Sequence, residues 1–382
     1  MKIYIETYGC AANQNDTEIL KAKLGRDSKF VDDIEDADEI IINTCIVKQP
    51  TENKLLFRIR ELHEKFPEKK FFIAGCLAKT NRVPEFCEVL NTVDVEKVCT
   101  PLVRKNPKLD IIQISRGCLG SCAYCGTKKA RGALVSSPPE KIIERMKKSL
   151  AEGVREFRFT SQDCGCYGYD LTPRMNLAVL LRTVLDSIDK MKALGEISFQ
   201  KNVNEKNRPM AKDISSEGRR CEPYTSHREW NSEPKIRIGM MNPNHVKDFY
   251  KELIEVYKDP RIVKFLHIPV QSGSDSVLKG MGRGYSVSDF VEIVEKMRRQ
   301  ILGLVVWTDI IVGFPGETDQ DFEASCKLLR SIRPDFVNVS KFGVRPGTAA
   351  AGMKQLPTQI VKERSVRMSE MVKDIRKNNQ HL

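Results

Sequence analysis

The hydrophobic positions of this chain fall into two rhythms that alternate from the first residues onward. Residues 2–9 alternate apolar and polar positions, and 39–44 and 70–75 are denser apolar runs. Between them, apolar residues at helical spacing cover 14–24 and 51–65. Strand patterns separated by helical ones predict an open parallel α/β sheet. A further strand is read at 93–98, before a linker bounded by Pro101 and Pro107. The rhythm then resumes. Strands are expected at 111–117, 156–162, 235–241, 263–270, 304–312 and 336–342, with helices at 139–152, 175–192, 244–257, 287–299 and 318–331. Six strands with crossover helices suit a partial (β/α)6 barrel. Residues 195–234 interrupt it: they are polar, mixed in charge and without sustained period. A structureless loop of this length is rare inside a compact domain. A disordered insertion, or a stretch missing from the mature protein, is therefore expected there. A short basic amphipathic helix at 359–377 ends the pattern, with Val361, Val366, Met368, Met371 and Ile375 on its apolar side. The expected organisation is an amino-terminal α/β domain over 1–100, a barrel over 108–347 and a helical extension over 348–382.

Composition narrows the functional classes. A chain of 382 residues with 41% hydrophobic content can bury two or three cores. No apolar run approaches the ~20 residues that span a bilayer, and the start is a strand pattern rather than a signal peptide. The expectation is a soluble, cytoplasmic monomer with no membrane partner. A formal charge of +12 points to an anionic partner, nucleic acid first among them. Twelve cysteines in such a chain argue for metal or catalytic roles rather than disulfides.

The cysteines are not scattered. Cys118, Cys122 and Cys125 follow a strand-like run in a Cys-x3-Cys-x2-Cys pattern. Structural zinc wants four closed ligands. A four-iron four-sulfur cluster held by three thiolates keeps one iron open to a substrate or cofactor. A zinc site lacking one ligand, or three buried cysteines, are the alternatives at this point. Cys10, Cys45 and Cys76 each end one of three successive predicted strands. Ligand sites in open α/β sheets lie outside the strands' carboxyl ends. These three therefore suggest a second three-thiolate site, the alternative being three small buried residues. Cys87 and Cys99 match no ligand position. Cys164 and Cys166 read as pocket-lining, His267 as a satisfied core histidine, and Cys221 and His227 as non-ligands.

The Cys118–Cys122–Cys125 pattern, with Tyr124 before its last cysteine, resembles the signature of the radical S-adenosylmethionine (SAM) superfamily. The runs Thr7-Tyr8-Gly9-Cys10 with Asn13 and Asp16, Asn43-Thr44-Cys45 and Ala74-Gly75-Cys76 resemble the amino-terminal domain of the methylthiotransferases within it. The resemblance implies two 4Fe-4S clusters. One, on Cys118, Cys122 and Cys125, would bind SAM at its open iron and generate a 5′-deoxyadenosyl radical. The other, on Cys10, Cys45 and Cys76, would hold the donated sulfur, and a second SAM would give the methyl. SAM contacts are implied at Tyr124, at Ser161, Gln162 and Asp163 (where the superfamily has Gly-Gly-Glu), at Gln271, and at Gly313, Pro315 and Gly316 of a Gly-rich turn.

Three stretches, 126–132, 237–243 and 342–348, most resemble the archaeal and eukaryotic-type tRNA threonylcarbamoyladenosine methylthiotransferases. The implied reaction adds a methylthio group to carbon 2 of N6-threonylcarbamoyladenosine beside the anticodon. Its partners are a tRNA anticodon stem-loop, a low-potential electron donor and a sulfur source. The alternatives are the same chemistry on isopentenyladenosine in tRNA or on a ribosomal-protein aspartate, or a non-catalytic iron–sulfur protein that binds RNA. Members acting on tRNA usually continue into a small TRAM domain. No such pattern precedes Leu382, so such a domain is apparently absent, and the expectation is either a truncated sequence or RNA bound by other surfaces.

Overall fold

In the computed structural model, residues 1–25, 27–45, 49–80, 82–90, 103–197 and 233–379 are described. The strand expected at 93–98, Cys99, Cys221, His227 and most of the 195–234 segment lie outside these residues. The amino-terminal region runs β1 (Lys2–Thr7), α1 (Ala11–Leu24), β2 (Lys29–Phe30), β3 (Glu39–Thr44), α2 (Gln49–Lys65), β4 (Lys70–Gly75) and β5 (Cys87–Val89). Its five described strands are parallel in the order β2-β1-β3-β4-β5. Ile40, Ile41 and Ile42 of the central strand are all buried. A parallel strand covered on both faces reads as such a continuous apolar run. Thr7 pairs with Asn43, and Asn43 with Ala74, so β1, β3 and β4 finish level. The edge strands β2 and β5 are too short to carry a sequence period.

The second region runs β6 (Leu109–Gln113), β7 (Ser115–Arg116), α3 (Thr127–Arg131), β8 (Val135–Ser136), α4 (Pro139–Ala151), β9 (Glu156–Thr160), α5 (Leu177–Ala193), β10 (Lys235–Ile238), α6 (Pro243–Val246), α7 (Tyr250–Tyr257), β11 (Phe265–His267), α8 (Asp275–Gly280), α9 (Val287–Gln300), β12 (Val305–Val312), α10 (Asp319–Ile332), β13 (Phe336–Lys341) and α11 (Thr358–Asn379). β6, β9 and β10 pair in parallel, as do β11, β12 and β13. The Ile236–Ile262 bridge and the Met241 N–H to His267 carbonyl bond at 2.9 Å join the two sets. Six parallel strands thus follow one another in chain order, the expected partial barrel. Phe157, Phe159, Ile238, Leu266, Val306 and Ile310 fill its core with residues from the outer helices.

The helix expected at 244–257 is broken. Phe249 leaves helical geometry (φ −140°, ψ 16°), which separates α6 from α7. Reciprocal capping by Ser286 with Asp289 and by Thr318 with Asp321 fixes the starts of α9 and α10. α1 lies against β6, where Glu18 accepts from the Lys105 N–H at 3.1 Å. α11 packs on β13 and α10 through Met368 and Ile375, while Val366, expected on its apolar side, is exposed. Among the described residues no helix is long and apolar enough to cross a membrane.

Candidate functional site

Cysteines 10, 45 and 76 stand just beyond the carboxyl ends of β1, β3 and β4, which are neighbours in the sheet. Cys10 is exposed at the start of α1, while Cys45 and Cys76 are buried. Gly9 (φ +116°) makes the approach possible, because a side chain there would sit 2.5 Å from Cys45 Cβ. A buried polar frame holds the loops. Asn13 donates to the Thr44 carbonyl at 2.6 Å and to the Tyr8 carbonyl at 3.1 Å. Asn43 donates to the Asn13 carbonyl at 2.7 Å and to Thr17 at 2.8 Å.

One group in this frame comes from the other region. Arg131, the last residue of α3, donates Nε–H to Cys76 Sγ at 3.3 Å, Nη1–H to Asp16 at 2.8 Å and Nη2–H to Asn13 at 2.9 Å. Burial pushes the Cys76 thiol above its ordinary value, and the Arg131 guanidinium pulls against that shift.

The second triplet lies in the loop after β7. The short antiparallel pairing of β7 with β8 pinches this loop at its base. Gly117 (φ +76°) is the pinch point, since a Cβ there would overlap the Ala133 carbonyl. Cys118 Sγ and Cys122 Sγ both face Gly120, at 3.3 and 3.7 Å from where its Cβ would be. The Ala123 N–H bonds to the Met281 carbonyl at 2.9 Å, and the Ala123 carbonyl accepts from Ala350 at 2.8 Å. Arg283 donates to Cys122 Sγ at 3.3 Å and to the Pro269 carbonyl at 3.0 Å. Cys164 is core. Cys166, read as pocket-lining, is also fully buried. Its thiol donates to the Asp163 carbonyl at 3.2 Å, its sulfur lies within 4.8 Å of that of Cys118, and its proximity holds the Cys118 thiol below its ordinary value.

The residues at the other strand ends gather on the same edge. Gln162 Oε1 accepts the Gly117 N–H at 2.8 Å, and the Ser161 and Ser115 hydroxyls bond at 2.8 Å. Asp163 is fully buried, its Oδ1 accepting from the Gly165 and Asn242 N–H groups at 2.9 Å each. Its Oδ2 faces His245 Nε2 at 3.6 Å. Gln271 holds a left-handed backbone (φ 71°), a conformation costing on the order of 1 kcal/mol for a residue with a side chain. Phe314 meets the Tyr124 ring edge-to-face at 6.5 Å, which seats the Gly313–Pro315–Gly316 turn against the cysteine loop. Gly316 is exposed with nothing within 4 Å of its Cβ position, leaving room for a ligand. His267 is satisfied by Asp309 at 2.8 Å but only partly buried.

Sequence reasoning gave no role to Arg131, Arg283, Glu317 or Arg364. Glu317 accepts the Gly313 N–H at 2.8 Å, and Arg364 from α11 donates to that carboxylate at 2.6 Å. Arg364 belongs to the basic last helix, yet it is buried. The available signal was Glu317 inside the Gly-rich run, an acid with no cation near it in sequence.

The donor sets discriminate between metals. Two sulfurs on one tetrahedral zinc, each at about 2.3 Å, lie roughly 3.8 Å apart. Among the described residues the three ligand atoms gathered within 4.8 Å are those of Cys118, Asp163 and Cys166, and neither triplet closes to that spacing. Thiols set wider apart than the ligands of a single ion suit a polynuclear cluster, in which each sulfur takes its own iron. The residues fit such clusters.

Comparison with known proteins extends this. The Radical SAM superfamily matches residues 112–329, and Uncharacterized protein family UPF0004 matches 2–97. A protein of Pyrococcus abyssi named probable threonylcarbamoyladenosine tRNA methylthiotransferase is 40% identical over 396 aligned positions, covering 96% of this chain and 82% of its own. The human threonylcarbamoyladenosine tRNA methylthiotransferase is 32% identical over 405 positions, covering 97% and 62%. A radical S-adenosylmethionine methyltransferase from Kitasatospora setae shares the fold, with a TM-score of 0.57 at 12% identity over 92% of this chain and 75% of that one.

Proposed function

We propose that this chain, which belongs to the radical SAM superfamily and within it to the threonylcarbamoyladenosine tRNA methylthiotransferases, adds a methylthio group to carbon 2 of N6-threonylcarbamoyladenosine in tRNA. The observation that carries this reading is the pair of three-thiol sites at the carboxyl ends of two adjoining parallel sheets, linked by one buried arginine. Cys118, Cys122 and Cys125 would hold the 4Fe-4S cluster that binds SAM, and Cys10, Cys45 and Cys76 an auxiliary 4Fe-4S cluster. Bound there, these groups would supply the electron, the radical, the sulfur and the methyl.

The chain's own residues supply placement. Arg283 donates to Cys122 Sγ and Arg131 to Cys76 Sγ, and these bonds orient one sulfur of each triplet. Tyr124 and Phe314 close the cysteine loop against the turn after β12 and keep water from that side. Gly313 and Pro315 fix the turn, Gly316 gives a planar ligand close access to backbone, and Ser161, Gln162, Asp163 and Gln271 complete the proposed SAM contacts. The excess of basic residues supports a polyanionic partner, and a splayed anticodon-loop base suits a barrel mouth. The cytoplasm is the proposed site of work, with an electron donor and sulfur source acting in trans.

Anaerobically reconstituted protein given SAM, dithionite, sulfide and a threonylcarbamoyladenosine-bearing anticodon stem-loop should yield the methylthio nucleoside by mass spectrometry. Modification of a ribosomal-protein aspartate, with the stem-loop unchanged, would move the substrate from RNA to protein.

A further inference from the structure

Arg131 is 3% exposed and comes from a different part of the chain than every group it binds, 55 residues from Cys76, 115 from Asp16 and 118 from Asn13. It closes a five-residue helix that starts two positions after Cys125. At 1.5 Å of rise per residue, its Cα stands roughly 9 Å along the chain from that cysteine. One short, stiff arm therefore begins at one cysteine triplet and ends on a sulfur of the other. The fork of the guanidinium is held by Asp16 and Asn13, each 1% exposed, so the Nε–H has one direction to point, toward Cys76 Sγ.

We propose that Arg131 is a positioning residue that ties the two cysteine triplets together and sets the reduction potential of the cluster on Cys10, Cys45 and Cys76 through its hydrogen bond to Cys76. This rests on the assignment of that triplet to a cluster. An N–H donor and a buried positive charge at a ligand sulfur stabilise the more negative, reduced cluster, and outer partners of this kind tune iron–sulfur potentials. Asp16, on the far side of the guanidinium at 2.8 Å, offsets part of that charge. The two residues must then act in opposite senses. Loss of Arg131 lowers the potential, and loss of the Asp16 charge raises it. A merely structural clamp gives no such change of sign.

The test uses the full chain with Cys118, Cys122 and Cys125 replaced by Ala, so that only the amino-terminal site can load iron. Iron analysis and EPR-monitored redox titration are run on this background, on Arg131→Met, on Arg131→Lys and on Asp16→Asn. The background should hold about four irons per chain. Arg131→Met should lower the equilibrium constant for reduction at least tenfold, about 59 mV for one electron. Arg131→Lys should fall between, and Asp16→Asn should shift the other way. Should Arg131→Met fail to fold, the Lys and Asn variants still report the sign. No iron in the background overturns the cluster assignment and the proposal with it. Iron present with all potentials unchanged, or shifted in one common direction, overturns the proposal alone.

Discussion

Replacing Arg364 by Met should loosen the turn after β12, although Arg364 lies on a helix outside the barrel. Arg364 donates to Glu317 Oε2 at 2.6 Å, to the Glu317 carbonyl at 3.0 Å and to Asp319 at 2.7 Å. Asp319 is 96% exposed, so that pair contributes about 0–1 kcal/mol. The Glu317 pair decides the outcome, because its side chains are 8% and 1% exposed. Removing one partner of a buried pair costs about 3–5 kcal/mol. Burial already pushes the Glu317 carboxyl up, with the Gly313 N–H and Arg364 pulling it down. Without Arg364 the carboxyl takes up a proton more readily, which holds the loss near the lower end, about 3 kcal/mol. The sign with pH follows. A carboxyl raised in the folded state has its full stability below the unfolded value and loses it as pH rises through the folded one. Arg364→Met should therefore fall further behind the parent as pH rises. Urea unfolding under anaerobic conditions reads the loss, and calorimetry with SAM reads the weaker turn. Arg364→Met with Glu317→Gln should recover more than half, since no charge is stranded. A single variant within about 0.5 kcal/mol of the parent, with the double no better, would refute the reasoning and return Arg364 to the surface.

Cys122→Ala should drop iron from about eight to about four per chain and abolish SAM cleavage, measured as 5′-deoxyadenosine; a retained burst of that product contradicts the assignment. Glu52 accepts from Arg345 of the second region at 2.6 Å and from Arg82 of its own region at 2.7 Å. Glu52→Ala leaves Arg345 stranded and should cost about 3 kcal/mol in denaturant unfolding, whereas an unchanged midpoint rejects a clamp there. The Asp321 carboxyl is raised by burial but held down to about 2 overall by hydrogen bonds from Ser274, Thr318 and Ser276. Its stabilising share is present above the ordinary carboxylate value and lost as pH falls through about 2. Thermal melts of the apo-protein should show Asp321→Asn losing to the parent near pH 5 and converging with it in strong acid; a constant gap would count against that account.

What the sequence disclosed followed from burial on both faces of parallel strands. Ile40–Ile42 is a continuous apolar run, and such a pattern survives without coordinates. The cysteine triplets were legible for the same reason, since each follows a strand. Phe249 ended a helix inside an unbroken apolar pattern, which no local residue signals. Arg131, Arg283 and Arg364 were invisible because a buried arginine and an exposed one have the same letter. Only the fold shows that Arg131 reaches Cys76 and that Arg364 reaches Glu317. Asp163 was read as a SAM contact, and the structure adds that one of its oxygens already takes two backbone N–H groups.

The account's central claim is a two-site sulfur insertion into threonylcarbamoyladenosine of tRNA. Nucleoside mass spectrometry of tRNA from a deletion strain carrying the intact gene, an empty vector or the Cys76→Ala gene tests it most directly. The account predicts the methylthio derivative with the intact gene alone, and unmodified threonylcarbamoyladenosine accumulating in the other two. The methylthio derivative at intact-gene levels in the empty-vector or Cys76→Ala strain would contradict it.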